Sequence, residues 1–311
     1  MSHALRMPLT ASRLQWERDG LDWPHRAHSR HVLAGGLHWH VQVAGEGPVL
    51  LLLHGTGASS HSMAGLLPLL TGRYTVVVPD LPGHAFTEAL PGAPSLPAMS
   101  RALAALLAVL GLAPPALVAG HSAGAAIGAQ LMLDGHAPAR ALVSINGALL
   151  PFDGLAGLLF APLARLVGGG PMLPRLVSRL VARQARDPRA MQRLVDGTGS
   201  RVPPASAALY ARLVQSPAHV AGALAMMSHW DLRPLAEALP VLLRMLAATR
   251  VVDLPLALLN RVAAALPVAL PADASWRLAA IGTYTTTFCP RLKVARAFVR
   301  FHCATCSAET L

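Results

Sequence analysis

The sequence is poor in cysteine, and the few cysteines lie where they cannot hold a core together. Its 311 residues include three cysteines, all near the C-terminus: Cys289, Cys303 and Cys306. This pattern excludes a disulfide scaffold and fits a reducing compartment, so we expect a cytoplasmic protein. Cys303 and Cys306 have C-x-x-C spacing, but zinc needs two further ligands and a thioredoxin-like motif needs a βαβ setting. We interpret the pair as incidental.

Charged residues are also scarce, and most of the basic ones are arginine. Charged residues make up 13% of the chain, Lys293 is the only lysine, and the formal net charge is +11. Aromatic residues reach only 5%, and no recognition motif accompanies the basic charge, which argues against a nucleic-acid partner. The arginine excess favours an anionic partner instead, such as a carboxylate-bearing ligand or a membrane surface.

No segment has the pattern of a leader or of a membrane span. The first 20 residues lack the apolar run that a signal peptide needs after its charges. The stretch from Ala102 to His121 is uncharged, but Pro114 and Pro115 interrupt it. The interruption predicts a buried helix followed by a buried strand. Peripheral contact with a membrane stays open.

Four short apolar runs, each closed by a turn residue, alternate with helix-like stretches. Such runs are typical of strands that are buried on both faces of a parallel sheet. The runs are 49–53, 74–78, 116–119 and 141–145, and the helix-like stretches are 60–70, 99–110 and 123–133. Upstream, residues 37–43 alternate and predict a half-exposed antiparallel strand near the edge. The order predicts an α/β fold with a mostly parallel central sheet and helices on both faces.

Residues 151–235 change character and predict a helical cap over the sheet. They have helical spacing, many prolines and no convincing strand. One helix face carries four arginines at spacings of four, four and three: Arg175, Arg179, Arg183 and Arg186. We expect four apolar residues to pack on the other side of that helix: Leu176, Val177, Leu180 and Val181. The arginine face is interpreted as solvated, with an anionic-lipid or protein contact as the alternative.

The core is therefore predicted in two pieces around the cap. Residues 1–150 form its N-terminal part, residues 151–235 the cap, and residues 236–311 its C-terminal part. After Pro240 the expected alternation of strands and helices dissolves. This last part is atypical: it is divergent, or it is read in a shifted frame, and resequencing of the locus distinguishes the two interpretations.

The motif Gly120-His121-Ser122-Ala123-Gly124 stands between a predicted strand and a predicted helix. A serine on such a tight turn is lifted above the sheet, and Gly120 and Gly124 relieve the crowding that side chains would cause. This context predicts the nucleophile elbow of the α/β-hydrolase fold, with Ser122 as nucleophile. The backbone N–H of Ala123 then points at the developing oxyanion, aided by the helix N-terminus.

The remaining catalytic groups are harder to assign. His54-Gly55-Thr56-Gly57 follows an earlier strand, so the N–H of Thr56 is predicted as the second oxyanion donor. The acid is expected after a strand near Pro240, and the histidine near the C-terminus. Four acids are candidates: Asp231, Glu237, Asp253 and Asp273. Asp253 has the best spacing, and His302 is the only histidine after residue 240, so these two are the predicted acid and base.

Other histidines are candidate ligands or pocket residues. His38 and His40 project to the same side of a strand and could hold a metal or a metalloporphyrin, but nothing supplies further ligands, so no metal site is predicted. His219 and His229, in the cap, are interpreted as packing or substrate-pocket residues.

Beyond the general fold, the chain resembles the magnesium chelatase accessory proteins of bacteriochlorophyll biosynthesis, an α/β-hydrolase subfamily of photosynthetic bacteria. The likeness covers roughly residues 20 to 240. The stretches most specific to the subfamily are Ile145-Asn146-Gly147-Ala148-Leu149-Leu150-Pro151-Phe152 and Ala221-Gly222-Ala223-Leu224-Ala225-Met226-Met227. Members normally continue past Pro240 with a strand, an acid-bearing loop and a Gly-His loop, none of which is recognisable here.

The resemblance implies a role at or near the insertion of Mg²⁺ into protoporphyrin IX. The resemblance also implies that other chelatase subunits perform the ATP-driven step and are the partners, and this chain has no Gly-x-x-x-x-Gly-Lys loop for ATP. No cofactor of the chain's own is expected, and a porphyrin is the implied ligand, held by the apolar cap with arginines at its propionates. The alternatives are a serine hydrolase that acts on a small ester or amide, and a non-catalytic scaffold that retains the elbow.

Overall fold

The computed structural model describes residues 13–151, 173–187, 189, 193, 202–245, 250–253 and 279–280. In these residues one sheet of eight strands has the order β1-β2-β4-β3-β5-β6-β7-β8. The strands are β1 Ser29–Ala34, β2 Leu37–Ala44, β3 Val49–Leu53, β4 Thr75–Pro79, β5 Leu117–His121, β6 Ala141–Ile145, β7 Arg250–Asp253 and β8 Ala279–Ala280. The helices are α1 Trp16–Asp19, α2 Leu67–Leu70, α3 Leu96–Leu110, α4 Ala123–Leu133, α5 Leu173–Gln184, α6 Pro204–Val214, α7 Pro217–His229 and α8 Arg233–Met245.

The parallel part of the sheet confirms the interpretation of the apolar runs. The pairs β3–β4, β3–β5, β5–β6, β6–β7 and β7–β8 are all parallel. β3 is buried along its whole length. Leu51 and Leu53 belong to one core cluster, whereas Leu50 and Leu52 belong to another. Because successive side chains of a strand point to opposite faces, the sheet has a core on each side, as an α/β fold requires.

The antiparallel edge confirms one expectation and corrects another. β2 is antiparallel to β1 and to β4, so it lies next to the edge, as predicted. It is not half-exposed, because only His38 of its eight residues is exposed. The polar face is covered instead: the rings of Trp16, Trp23 and Phe86 pack around His40. The alternating pattern correctly marked the strand but could not show this cover.

Two further expectations about local structure were wrong. Residues 60–70 form a 3₁₀ turn at Ser60–Met63 and the short helix α2, rather than one helix, with Gly65 in the intervening stretch and Pro68 in the first turn of α2. No strand begins near Pro240, which lies inside α8. Buried Leu235, Ala236 and Leu242 have helical spacing, and α8 packs on α4 of the core. The helix therefore crosses the predicted boundary at residue 235.

The described part of the cap is helical, as predicted, but α5 buries a different face from the one that was expected. It packs on α7 through small buried residues, among them Ser178, Ala182 and Ala185. Leu176 and Leu180, expected to be packed, are exposed to 65% and 55%. Small side chains let two helices approach closely, so the packed face here is the one with the least apolar volume. Of the helices that the structure describes, none has the length and apolar character to cross a membrane.

Candidate active site

Ser122 occupies a sharp turn between β5 and α4. Its φ of 50° and ψ of −115° place a residue with a side chain in the region that favours glycine. The turn is held by its own backbone, because Ser122 N–H donates to Ile145 O at 3.0 Å and Ala148 N–H donates to Ser122 O at 3.0 Å. These bonds tie the serine to β6 and to the segment after it. The strained strand–turn–helix geometry is that of a nucleophile elbow.

The two glycines of the motif are required by close backbone approach. A Cβ on Gly120 would overlap the backbone nitrogen of Ala125. A Cβ on Gly124 would overlap the carbonyl oxygen of Leu53, at the end of β3. The motif therefore packs α4 directly onto the sheet, and its spacing has the steric cause that the sequence predicted.

The loop after β3 lies beside the serine. A Cβ on Gly55 would come within 3.1 Å of Ser122 Cβ and 2.8 Å of His121 Nδ1. Thr56 follows immediately, and its hydroxyl contacts Met226 Sδ of α7 at 3.0 Å. The loop that carries Thr56 and the helix that begins at Ala123 thus both adjoin Ser122, and their role as oxyanion donors stays a prediction. The contact between Thr56 and Met226 also joins the cap to this loop.

The loop's histidine has a structural role. His54 is fully buried; its Nε2 accepts from Leu81 N–H at 2.9 Å, and its Nδ1–H donates to Gly55 O at 2.8 Å. Burial, with the charge of a neighbouring His84 in its protonated state, lowers the pKa of His54 to about 3. His54 is therefore a neutral ring that holds two loops together.

His219 is the cap's counterpart to His54, and its exact role could not be read from the sequence. Its Nδ1 accepts from Ala85 N–H at 3.0 Å, and its Nε2–H donates to Gly57 O at 3.0 Å. The ring stands edge-on to His84, 5.2 Å between centroids. Burial lowers the pKa of His219 to about 3 and that of His84 to about 4. The interpretation of His219 as a packing residue agrees with this geometry, whereas His229 is exposed.

Of the predicted acid and base, the structure describes only part. Asp253 is the last residue of β7 and pairs in register with Ser144 of β6. It thus ends a parallel strand that follows the cap, which is the place an acid occupies in this fold. Its side chain and His302 lie outside the described residues, as do the three cysteines and Asp273. Within the described part of the chain, no histidine is hydrogen-bonded to the Ser122 hydroxyl.

A second polar cluster lies under the antiparallel edge. His40 and Asp80 are both fully buried and are joined by a 2.8 Å bond between Nδ1 and Oδ2, while His40 Nε2 lies 3.0 Å from Ser29 Oγ. Burial alone would raise the pKa of the Asp80 carboxyl, but pairing with His40 and a hydrogen bond from Ser60 N–H hold it well below its usual range.

The contacts of this cluster bear on the hypothesis that His38 and His40 hold a metal. Both ring nitrogens of His40 are engaged by protein groups, so neither is available as a ligand. The described residues contain no group of three or more His, Cys, Asp or Glu side chains arranged to hold a metal ion. His40 is a structural residue that fastens β2 to the loop after β4.

These features define a class of protein. The family profile of the α/β-hydrolase fold matches residues 48–254, and the chain belongs to that family. Within it, the chain is 42% identical over 222 residues to the magnesium-chelatase 30 kDa subunit of Rhodobacter capsulatus. That alignment covers 70% of this chain and 76% of the relative.

Solved structures agree on the architecture. A putative epoxide hydrolase from Pseudomonas aeruginosa superposes with a TM-score of 0.58 at 25% identity, over 73% of this chain and 78% of the other. A putative lipase from Acinetobacter baumannii superposes with a TM-score of 0.55 at 18% identity, over 75% and 78%. The second likeness shows the fold alone.

Proposed function

We propose that this chain is an accessory protein of bacteriochlorophyll biosynthesis that acts at or near the insertion of Mg²⁺ into protoporphyrin IX. The observation that carries the proposal is the 42% identity, over 222 residues, to a protein named as a magnesium-chelatase subunit. The partners in this proposal are the other chelatase subunits, which perform the ATP-driven step.

The proposed ligand is a tetrapyrrole held under the cap. α7 carries the partly exposed apolar residues Leu224 and Met227 beside the buried Met226, which reaches Thr56. A flat apolar macrocycle suits such side chains, and arginines of the cap are suited to its propionates. The cap, rather than the sheet, then selects the ligand.

A second candidate function is favoured by the elbow. The strained Ser122 beside Thr56 and Ala123 has the geometry in which a serine hydroxyl attacks an ester or amide carbonyl. The backbone N–H groups of Thr56 and Ala123 would receive the oxyanion, and a base would take the hydroxyl proton. Asp253 and His302 remain the proposed acid and base. A hydrolytic step and a role in chelation are compatible, since the first describes chemistry and the second a pathway position.

One set of measurements separates these functions. The purified protein is exposed to a fluorophosphonate probe, with Ser122→Ala as the control. Labelling that disappears in Ser122→Ala supports an activated serine, whereas no labelling of folded protein removes the hydrolase candidate and leaves the elbow vestigial.

The chelation role is tested independently of the serine. Chelatase subunits are assayed for magnesium insertion with and without this chain, and protoporphyrin IX is titrated into the protein while its absorbance spectrum is recorded. We expect faster insertion and a saturable spectral shift. Subunit retention on the immobilised chain without either effect would support the scaffold alternative, and no effect in any of the three assays would contradict the proposal.

A further inference from the structure

The outward face of α5 exposes two large apolar side chains one helical turn apart. Leu176 is 65% exposed and Leu180 is 55% exposed, although the same helix buries Ser178 and Ala182 against α7. On a helix with 3.6 residues per turn, positions 176 and 180 lie opposite to positions 178 and 182. The helix thus buries its small residues and presents its leucines.

Basic charge accompanies the exposed leucines. Arg183 lies beside Leu180 on the helix surface, and Arg179 and Arg186 follow along one flank; all three are exposed. Arg189 and Arg193, just beyond the helix, are exposed as well. From residue 173 to residue 193 the sequence has six arginines and a single acid, Asp187. The leucines therefore lie in a strongly positive surrounding.

Leucine next to arginine on one exposed helix face is typical of helices that lie in the interface of a bilayer. The apolar side chains enter the boundary between headgroups and acyl chains. The arginine stems lie along that boundary while their guanidinium groups reach lipid phosphates. A protein partner would have to supply both an apolar pocket and a dense acidic surface. An anionic bilayer has an apolar interior and a negatively charged surface over its whole area. The combination of exposed leucines and arginines therefore favours a bilayer over a protein partner.

We propose that the outward face of α5, defined by Leu176, Leu180, Arg179, Arg183 and Arg186, docks the protein on an anionic lipid bilayer. The helix lies flat on the membrane, and none of the described helices is long and apolar enough to cross it. The proposal rests on the cap alone and is independent of the chemistry at Ser122.

The docking face is linked to the candidate site by contacts already described. α5 packs on α7, and α7 holds the Thr56 loop through Met226 and His219. A protein docked through α5 therefore brings the cap toward the bilayer. An apolar ligand that partitions into lipid would then be close to the part of the protein proposed to receive it.

The test is co-sedimentation of the full chain with vesicles made of equal parts phosphatidylglycerol and phosphatidylcholine, compared with vesicles of phosphatidylcholine alone. We expect binding to the anionic vesicles, weakened by added salt, and little binding to the neutral ones. Arg183→Gln/Arg186→Gln should weaken the affinity about 25-fold, since each arginine near an anionic surface contributes about a fivefold factor. Arg101→Gln/Arg140→Gln, two exposed arginines elsewhere, is the matched control and should change it far less.

The apolar contribution needs its own pair of variants. Leu176→Gln/Leu180→Gln should reduce binding to anionic vesicles about 100-fold, because each leucine loses favourable burial. Leu21→Gln/Leu33→Gln changes two leucines that are 68% and 61% exposed in other parts of the molecule, and should bind as the unaltered chain does. Circular dichroism and melting temperature verify that the surface variants remain folded.

Three outcomes would overturn the proposal: no binding to anionic vesicles, equal binding to both kinds of vesicle, or equal binding by the two leucine variants. Sedimentation velocity without lipid adds a fourth. If the chain self-associates and only Leu176→Gln/Leu180→Gln abolishes the association, the face is a contact between copies of this chain and not a membrane surface.

Discussion

The imidazole of His219 donates a 3.0 Å hydrogen bond from Nε2–H to the carbonyl oxygen of Gly57, 162 positions earlier in the chain. The same ring accepts from Ala85 N–H. One residue of the cap therefore fixes two loops of the core, and one of these loops carries Thr56. Because a neutral ring with hydrogen on Nε2 satisfies both bonds, the arrangement depends on His219 staying unprotonated.

Replacing this residue should loosen the loop and lower stability. His219→Ala removes the partner of the buried Ala85 N–H and of the part-buried Gly57 O, which should reduce the free energy of unfolding by about 2 kcal/mol. Urea titration measures the change, and the rate of fluorophosphonate labelling reports whether the Thr56 loop has moved. His229→Ala, an exposed histidine on the same helix, is the control and should resemble the unaltered chain. Equal stability of the two variants would contradict the role assigned to His219.

The buried histidines should make the protein acid-sensitive. Burial lowers the pKa of His54 and His219 to about 3, and that of His61 and His84 to about 4. In the unfolded chain a histidine titrates near 6.5, so between these values the unfolded state binds protons that the folded state does not. The stabilisation is complete above about pH 6.5 and is lost as the pH falls toward 4, at up to about 1.4 kcal/mol per pH unit for each histidine.

The urea midpoint, measured from pH 8 to pH 5, checks this dependence. We expect a midpoint that is level at the alkaline end and falls steeply below about pH 6.5. His84→Asn removes one of the four groups and should reduce the slope. Midpoints that are the same at pH 7 and pH 5 would show that the histidines are not buried as neutral rings.

The carboxylate of Asp80 should be far more important for stability than an exposed one. It accepts from His40, from Ser60 N–H and from Phe86 N–H, all within the core. Asp80→Asn should lower the free energy of unfolding by about 3 kcal/mol, because the neutral amide accepts fewer of these hydrogen bonds and leaves a buried donor without a partner. Asp231→Asn breaks an exposed pair with Arg233 and should cost less than about 1 kcal/mol. Similar losses in the two variants would argue against a buried, ionised Asp80.

The strain at Ser122 predicts an unusual order of stabilities. At a φ of 50°, the conformation is energetically unfavourable for every residue except glycine. Ser122→Gly should therefore be more stable than Ser122→Ala by about 1 kcal/mol, although glycine normally costs stability relative to alanine. Thermal unfolding of both variants gives the comparison. If Ser122→Ala were the more stable, the turn would be relaxed and the elbow would store no strain.

The local features of this protein were accessible from its sequence alone. β3, β6 and α4 begin and end at the residues that the apolar and helical patterns predicted, because an apolar run closed by glycine or asparagine is a nearest-neighbour property. The elbow was recognisable from five consecutive residues, although Gly124 is required by the close approach of Leu53 O in β3. The helical nature of the cap followed from the same kind of periodicity.

The tertiary structure decided what depends on residues far apart in the chain. His219 meets Gly57 and Ala85, and His40 meets Asp80, across 40 to 162 positions, so no local pattern marks these pairs. Which face of α5 is buried also depends on a contact between distant parts of the chain. The sequence predicted that its leucines pack, whereas the close approach of α7 buries its small residues and leaves Leu176 and Leu180 exposed. A sequence specifies which faces can pack, whereas the partner across the interface determines which face does.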